Sequence, residues 1–253
     1  MGKVNIIIAA YNKWDSTQKA IESVFRNSPK CSYKFIFVNS ASTDETHEEI
    51  CKTYNNFDNF LYIKSDENGG CGIARNIGLR EIDEDCEYII LLDNDVIVTK
   101  NWCDNMIDFM EKHQEIGICG PCSNFAGSPQ LIENVPEFNT VDDIENFAKN
   151  YKHKIEFTYV PPKWPVIGFC FLIRRETFNN VGLFDENYKF YGYEDTDYCY
   201  RAEKLGWRLS YYYKTFIYHK GHGSLDALAS NGINWVKFCE ENKEYFKEKH
   251  GWI

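Results

Sequence analysis

The chain has 253 residues, of which 43% are apolar, so it can bury a substantial core as one large domain or two small ones. Its 28 lysines and arginines against 38 aspartates and glutamates give a net charge of −10, with no basic tract, which argues against a nucleic-acid partner or an anionic membrane surface. The apolar runs fall far short of the ~20 residues that cross a bilayer, and the N-terminus shows no signal-peptide pattern. We therefore expect a cytoplasmic protein with no transmembrane segment.

The first half of the chain alternates between short apolar runs and segments of helical spacing, the pattern of a strand-and-helix domain with a largely parallel sheet. The predicted strands lie at 4–10, 33–39, 60–64, 87–92 and 116–119. Helices are predicted between them, and the second, at 45–54, is preceded by the good capping residues of the string NSASTDET. The sequence therefore indicates an α/β fold.

Between residues 121 and 165 the pattern weakens, with five prolines before Trp164-Pro165 and one predicted helix that starts at a Thr140 cap. We interpret this segment as an irregular lid or acceptor insertion. Regularity returns with a strand at 166–173, a helix at 194–205, a strand at 207–213 and a final helix from Trp235 onward. A single domain with an irregular excursion is the simplest account.

Two carboxylates directly follow the fourth predicted strand. The segment 88–98 reads YIILLDNDVIV, so Asp93 and Asp95 lie where a buried strand ends, which is where open α/β sheets bind their ligands. Residues i and i+2 of an extended backbone point to one side, so both carboxylates can converge on one hard cation. The alternative is that Asp-Asn-Asp only forms a hydrogen-bonded turn.

The segment 68–78, NGGCGIARNIG, has glycines that let a ligand approach the backbone, and a helix N-terminus follows them. It lacks the G-x-G-x-x-G spacing of dinucleotide sites, so a plain turn into a helix is the alternative. Arg75 favours an anion site, because an acidic protein needs a local cation to hold an anion.

The segment 191–209 places Glu194, Asp195 and Asp197 at a predicted helix start. One or two acidic residues there are explained by the helix dipole. Three carboxylates within four residues repel one another, which predicts a raised pKa and a base among them. Further on, His219 and His222 flank glycine in a predicted loop; a lone loop histidine is usually solvated, and the acidic pair makes these two candidate metal ligands.

Five blocks, in their order and spacing, resemble family-2 glycosyltransferases of the GT-A fold: VNIIIAAYN (4–12), FVNSASTDET (37–46), NGGCGIARNIG (68–78), LLDNDV (91–96) and YGYEDTDYCYRAEKLGWRL (191–209). The resemblance implies one domain over residues 1–253, a three-layer α/β/α sandwich with a mostly parallel mixed sheet. Its Rossmann-like nucleotide-sugar half would be 1–120, its lid or acceptor insertion 121–165, and its acceptor and catalytic half 166–253.

The resemblance also implies roles for individual residues. The nucleotide-sugar donor would contact Ala10, Tyr11, Asn39, Gly70, Arg75, Asp93 and Asn94. A divalent metal ion, Mn²⁺ or Mg²⁺, would be held by Asp95, with Asp93, His219 and His222 as further candidates. Asp195, next to Glu194, would be the general base of an inverting transfer.

By the same resemblance, the donor would be a UDP-sugar, with dTDP- and GDP-sugars as alternatives, and the sugar a hexosyl, N-acetylhexosaminyl or rhamnosyl group. The acceptor would be a glycan, a lipid-linked molecule or a protein, in bacterial polysaccharide or glycoconjugate synthesis. Asn39 and Ser40 stand where the family usually has Asp-Asn, so an acidic contact to the base is missing, and Ala9 replaces the usual proline.

Two other classes of function remain open at this point. Cys119-Gly-Pro-Cys122 matches the active-site string of thiol-disulfide oxidoreductases, but a poor helix former follows it, and the scattered cysteines are expected to be reduced thiols. A catalytically inactive sugar-binding module is suggested by the 16% aromatic content and by clusters such as residues 211–213, although aromatic residues more often fill cores.

Overall fold

The computed structural model describes residues 2–127, 129–162, 164–221, 228–230 and 232–251. The strands are β1 (Lys3–Ala10), β2 (Tyr33–Ser40), β3 (Phe60–Ser65), β4 (Cys86–Asp93), β5 (Val96–Ile97), β6 (Ile116–Cys122), β7 (Phe157–Tyr159), β8 (Cys170–Arg174), β9 (Arg208–Phe216) and β10 (Tyr218–His219). The helices are α1 (Trp14–Arg26), α2 (Thr46–Thr53), α3 (Cys71–Leu79), α4 (Trp102–Lys112), α5 (Val141–Asn150), α6 (Arg175–Val181), α7 (Glu194–Lys204) and α8 (Trp235–His250).

One eight-stranded mixed sheet organises the fold, in the order β3-β2-β1-β4-β8-β6-β9-β7. Strands β3, β2, β1 and β4 are parallel, and β6 is parallel to β9. Strand β8 runs antiparallel to both β4 and β6, and β7 runs antiparallel to β9. The predicted α/β class with a mostly parallel mixed sheet is confirmed.

Helices cover both faces of the sheet, so the central strands are buried on both sides and read as continuous apolar runs. Along β1, Ile6 and Ile8 belong to one core cluster and Ile7 to the other, as the alternation of strand side chains requires. Trp102 of α4 packs in the first cluster and Tyr198 of α7 in the second. The two cores hold the carboxyl ends of β1, β2 and β4 at one edge, where the candidate site lies.

The strand predicted at 166–173 begins only at Cys170. The preceding residues are not a strand because side chains occupy their backbone N–H groups: Ile167 N–H donates to Gln130 Oε1 at 2.8 Å and Gly168 N–H donates to Asp195 Oδ2 at 3.0 Å. This irregular stretch therefore connects the sheet to the candidate site. The sequence also gave no sign of α6, β7 or the two-stranded ribbon formed by β5 and β10.

The helix predicted in the irregular segment is present as α5. Thr140 accepts a hydrogen bond from Asp143 N–H, and Asp143 accepts one from Thr140 N–H in return, which completes a capping box. No helix in the described part of the chain is both long and apolar enough to cross a bilayer.

Candidate active site

Two adjoining recesses open at the carboxyl edge of the sheet and share Cys71, Arg75 and Asp93 in their walls. The first has a volume of about 500 Å³ and lies over the ends of β1 and β4. The second, of about 880 Å³, lies beside the start of α7. Because they share these three wall residues, the two recesses form one cleft.

Arg75 occupies the boundary between the two recesses. Its buried guanidinium donates to Asp93 Oδ1 at 3.0 Å, to Glu194 Oε1 at 3.1 Å and to the Gly168 carbonyl oxygen at 3.0 Å. We expected Arg75 to contact the base or diphosphate of a donor. It lines both recesses, and its hydrogen bonds also join α3, β4 and α7 around the cleft.

Three possible metal ligands meet at the end of β4. One ligand atom each of Asp93, Asp95 and His219 lies within 4.8 Å of the others. His219 Nε2 lies 3.2 Å from Asp95 Oδ1. The ribbon explains this approach, because His219 pairs with Val96, the residue next to Asp95, and Lys220 N–H donates to the Asp95 carbonyl oxygen at 3.0 Å.

The loop after β6 orients the His219 ring. His219 Nδ1 lies 2.8 Å from the Phe125 carbonyl oxygen, so the ring donates there and directs Nε2 at Asp95. The backbone of His219 is held as well, since its N–H donates to Asn124 Oδ1 and its carbonyl oxygen accepts from Asn124 Nδ2, both at 2.9 Å. Burial would lower the pKa of His219, but the hydrogen bond and charge of Asp95 outweigh it and raise the pKa above its ordinary value.

This donor set fits a divalent cation. Two carboxylates and one imidazole suit Mn²⁺ and related ions, and a ligating histidine typically donates its second ring N–H to a carbonyl, as His219 does to Phe125. Glycine-flanked His222, the other candidate, lies outside the described residues.

Two adjacent carboxylates at the start of α7 differ in their surroundings. Glu194 is buried and paired with Arg75, and its burial together with the charge of Asp195 raises its pKa to about 7 despite the guanidinium. Asp195 is partly exposed in the second recess, where it accepts from the N–H groups of Gly168 at 3.0 Å and Thr196 at 2.7 Å. The raised pKa expected in this acidic cluster is therefore found at Glu194, while Asp195 faces the cleft.

Asp197, the third acidic residue of this cluster, lies in the protein interior and forms ion pairs there. It is fully buried, and it accepts from Arg201 Nε at 2.8 Å and from Lys249 Nζ at 2.6 Å. Burial opposes ionisation, but these hydrogen bonds and charges outweigh it and lower the pKa of Asp197. It anchors α8 to α7 and does not line the cleft.

The first recess contains most of the residues expected near the donor. Ala10, Tyr11 and Gly70 line it. Asn94 also lines it, but its side-chain amide donates to Thr17 Oγ1 at 2.9 Å. Asn39 is absent from the lining; its amide donates to Tyr62 Oη at 3.1 Å and accepts from Ser42 N–H at 2.8 Å, so it holds the turn after β2.

The sequence analysis assigned no role in binding or catalysis to several other residues that line the cleft. They are Ser40, Asn68, Cys71, Phe190 and Leu228 in the first recess, and Phe125, Ile167, Gly168 and Tyr191 in the second. For Ser40 and Asn68, the sequence clue to a place in the cleft was their position. Ser40 ends β2, and Asn68 precedes the glycines of the 68–78 segment. For Tyr191, the only sequence clue was that it begins the segment 191–209, which carries the three acidic residues.

Cys119 and Cys122 lack the surroundings that a thiol redox centre needs. Cys119 and Cys122 lie on β6 and belong to the core clusters of opposite sheet faces. Burial raises the pKa of both thiols, that of Cys122 to about 12, whereas a reactive thiol needs a lowered pKa at a helix N-terminus or beside a cation. All ten cysteines lie in described residues and are free. The tyrosines at 211–213 are also buried in the core.

Solved structures with this fold bind nucleotides and nucleotide sugars. GalNAc-T7 with UDP, GalNAc and Mn²⁺ superposes with a TM-score of 0.66 at 19% identity, over 87% of this chain and 43% of that one. TarS 1-349 of S. aureus in complex with UDP gives 0.64 at 19% identity, over 85% and 60%. A mannosyltransferase of Pyrobaculum calidifontis with GDP-Man and Mn²⁺ gives 0.64 at 15% identity, over 88% and 59%. The chain therefore has the GT-A glycosyltransferase fold.

The chain belongs to glycosyl transferase family 2, whose family model matches residues 5–182. A second model, the N-terminal domain of galactosyltransferase, matches residues 149–222. An uncharacterized glycosyltransferase of Rickettsia prowazekii is 29% identical over 188 residues, which cover 74% of this chain and 55% of the relative. The minor teichoic acid biosynthesis protein GgaA of Bacillus subtilis is 29% identical over 191 residues, which cover 74% and 40%. The chain thus spans about half the length of these relatives.

Proposed function

We propose that this chain transfers a sugar from a nucleoside-diphosphate sugar to an acceptor hydroxyl with inversion at the anomeric carbon. One observation carries the proposal: a single recess is lined both by the cluster of Asp93, Asp95 and His219 and by the partly exposed Asp195. An inverting displacement needs these two parts, a site for the leaving diphosphate and a base for the attacking hydroxyl.

The first recess fits the nucleoside part of the donor. Ala10, the last residue of β1, and Tyr11 after it line this recess. Gly70 lines it too, and its backbone packs directly against that of Phe190: its φ is 87°, and a Cβ at this position would lie 2.3 Å from the Phe190 Cα. The structural neighbours bind UDP, UDP-GlcNAc and GDP-Man, which supports a nucleotide-sugar donor. A UDP-sugar is our first choice and dTDP- and GDP-sugars are the alternatives.

The diphosphate needs a positive charge that the described side chains of the cleft do not offer freely. The whole chain carries −10, and the guanidinium of Arg75 is already shared by two carboxylates. At an effective dielectric of 20, two unit charges 4 Å apart interact by about 4 kcal/mol, so the sign of the nearest charge decides whether the anion binds. A bound Mn²⁺ or Mg²⁺ would neutralise the leaving diphosphate. Asp95, Asp93 and His219 would hold it.

Asp195 is the carboxylate best placed to take the proton of the acceptor hydroxyl. It is exposed to the recess, and the Gly168 and Thr196 N–H groups fix its orientation. Glu194, the other candidate, is buried, and its carboxylate accepts from Arg75 and from Gly192 N–H at 2.9 Å. Its role is to keep Arg75 and the start of α7 in place.

The relatives favour one class of acceptor. Relatives named for teichoic acid synthesis in Bacillus and Staphylococcus support a bacterial cell-wall glycan or glycoconjugate, and a lipid-linked or protein acceptor is the alternative. Phe125 and Ile167 flank the second recess on the side of the 121–165 segment. We propose that this segment borders the acceptor and that the reaction takes place in the cytoplasm.

An assay of donor hydrolysis and sugar transfer tests the function directly. The purified chain is incubated with UDP-, dTDP- and GDP-sugars, with Mn²⁺ and with a chelator, and nucleoside diphosphate release is measured; the anomeric configuration of any product is read by NMR. We expect one nucleotide class to be turned over in a metal-dependent manner and the product to be inverted. Saturable nucleotide-sugar binding with no turnover would support the inactive sugar-binding module, and a retained anomeric configuration would contradict the role of Asp195.

A further inference from the structure

A short loop at 189–193 connects the two halves of the cleft. Phe190 lines the first recess, and Tyr191 and Gly192 line the second, immediately before Glu194 and Asp195. On its other side the loop meets α3, because Cys71 N–H donates to the Phe190 carbonyl oxygen at 2.8 Å. The position of this loop therefore affects both recesses.

The conformation of the loop is intrinsically unfavourable. Phe190 has φ 47° and Tyr193 has φ 71°, a left-handed backbone that bulky residues rarely adopt, and Gly192 between them has φ 96°. Such a conformation persists only when the surrounding structure holds it. Side chains of α8 hold this loop.

Both polar atoms of the Asn242 side chain, on α8, contact the loop backbone. Its side chain is 2% exposed. Nδ2 donates to the carbonyl oxygens of Lys189 at 2.8 Å, Tyr191 at 3.1 Å and Gly192 at 2.9 Å. Oδ1 accepts from Lys189 N–H at 2.9 Å. Both polar ends of one buried side chain are thus used on a single strained loop.

Neighbouring side chains of α8 add apolar contacts to the same loop. The Phe238 ring lies 4.8 Å from that of Phe190, and the Trp235 ring meets Tyr191 edge-on at 6.2 Å. These contacts fill space around the loop, but aromatic packing tolerates small rotations, whereas the hydrogen bonds of Asn242 specify the direction of individual carbonyl groups.

We propose that Asn242 is a positioning residue of the glycosyl transfer: it fixes the backbone of loop 189–193, so that Tyr191 forms the cleft wall beside Asp195 in one defined place. This role rests on the proposed function, and Asn242 itself does not touch the cleft. A wall displaced by even 1 Å misaligns the acceptor with Asp195, and misplacements of this size reduce rates by up to about a hundredfold.

The first test follows the loop itself and needs no activity. Amide hydrogen exchange of the full-length protein, read by mass spectrometry on peptides that cover 189–193, is compared for wild type, Asn242→Ala and Lys249→Met. Lys249→Met is the matched control, because it weakens the attachment of α8 through Asp185 and Asp197 without touching the hydrogen bonds of Asn242. We expect exchange in these peptides to rise by about tenfold in Asn242→Ala and to stay near wild type in Lys249→Met.

The second test separates positioning from stability. At a temperature where all variants are folded, we expect Asn242→Ala to lower kcat by about tenfold or more, while Lys249→Met keeps its kcat. The rise in the Kd for the nucleoside diphosphate should be smaller than the loss of kcat, because Cys71 N–H still holds the Phe190 carbonyl oxygen beside the first recess. If Asn242→Ala does not fold, Asn242→Ser, which retains a small polar side chain, takes its place in both tests. Unchanged exchange at 189–193, or an equal kcat loss in Lys249→Met, would overturn the inference.

The two proposals fail in different ways. If wild type turns over no nucleotide sugar, the proposed function is wrong and the positioning of a transfer falls with it, whatever the exchange data show. If wild type is active and Asn242→Ala keeps both its exchange pattern and its kcat, the positioning role alone is wrong.

Discussion

The guanidinium of Arg75 donates to the carboxylate of Glu194 over 3.1 Å, although 119 positions separate them in the chain. Both side chains are only 7% exposed. The pair joins α3, from the half of the chain that holds the first recess, to α7, which carries Asp195. This buried ion pair therefore links the wall of the first recess to the wall of the second.

Arg75→Ala should destabilise the fold. The substitution leaves Glu194 buried without its cation, and removing one partner of a buried ion pair lowers the free energy of unfolding by about 3–5 kcal/mol. Arg80→Ala is the matched control on the same stretch of chain, because its pair with Glu186 is exposed and worth about 0–1 kcal/mol. Chemical denaturation measures both. Similar losses in the two variants would contradict the central role of Arg75.

Asp195→Asn should keep nucleotide binding and lose transfer. The amide preserves the shape of the side chain but cannot take a proton, so we expect turnover to fall by about a hundredfold or more. Calorimetric binding of the nucleoside diphosphate and steady-state kinetics are the measurements. Glu203→Gln, a carboxylate of the same helix outside the cleft lining, should behave as wild type. Normal turnover in Asp195→Asn would remove this residue from the reaction.

Asp95→Ala should abolish the effect of metal on nucleotide binding. Wild type is expected to bind the nucleoside diphosphate more tightly with Mn²⁺ than with a chelator, because the proposed site of Asp93, Asp95 and His219 would hold the ion beside the phosphates. In the variant the two affinities should coincide. His153→Gln serves as a histidine control far from the cluster in sequence and outside the cleft lining. A metal effect that survives Asp95→Ala would place the ion elsewhere.

Asp197→Asn should lower stability at neutral pH and have little effect in acid. The pKa of Asp197 is lowered in the folded state, so its contribution is fully present above the unfolded pKa of about 3.9 and is lost as the pH falls through the folded value. We expect a loss of about 3 kcal/mol at pH 7, since Lys249 and Arg201 lose their buried partner, and a shrinking difference below about pH 4. Denaturation curves across pH measure it. A difference that stays constant into acid would contradict the linkage.

Cys119 and Cys122 should resist alkylation in the folded protein. Both are buried on β6 with raised pKa values, so little thiolate is available. Iodoacetamide labelling read by mass spectrometry should modify the half-buried Cys51 first and these two only after denaturation. Rapid labelling of Cys119 or Cys122 at neutral pH would support the alternative function, that of a thiol-disulfide oxidoreductase.

Local patterns predicted the parts of the fold that local physics determines. The buried runs became β1, β2, β4 and β6 because both sheet faces are covered, and Thr140 began α5 because its capping box needs only four consecutive residues. Asp93 and Asp95 were recognisable because a strand end places them at the ligand edge.

Long-range contacts determine what the sequence did not show. Nothing near Gly168 indicates that its N–H belongs to Asp195, and nothing near Arg75 indicates that two carboxylates enclose it. The left-handed backbone at Phe190 likewise depends on Asn242 and on Cys71, which come from other helices. The roles of the site residues themselves stay predictions until the variants are measured.

The β5–β10 ribbon links the cluster of Asp93, Asp95 and His219 to the order of synthesis. Asp93 and Asp95 leave the ribosome before β6, whereas His219 follows only after β9. A nascent chain that has not yet reached β10 therefore carries the two carboxylates without the imidazole and without the carbonyl contact that orients it. The three side chains can meet only once β10 has paired with β5.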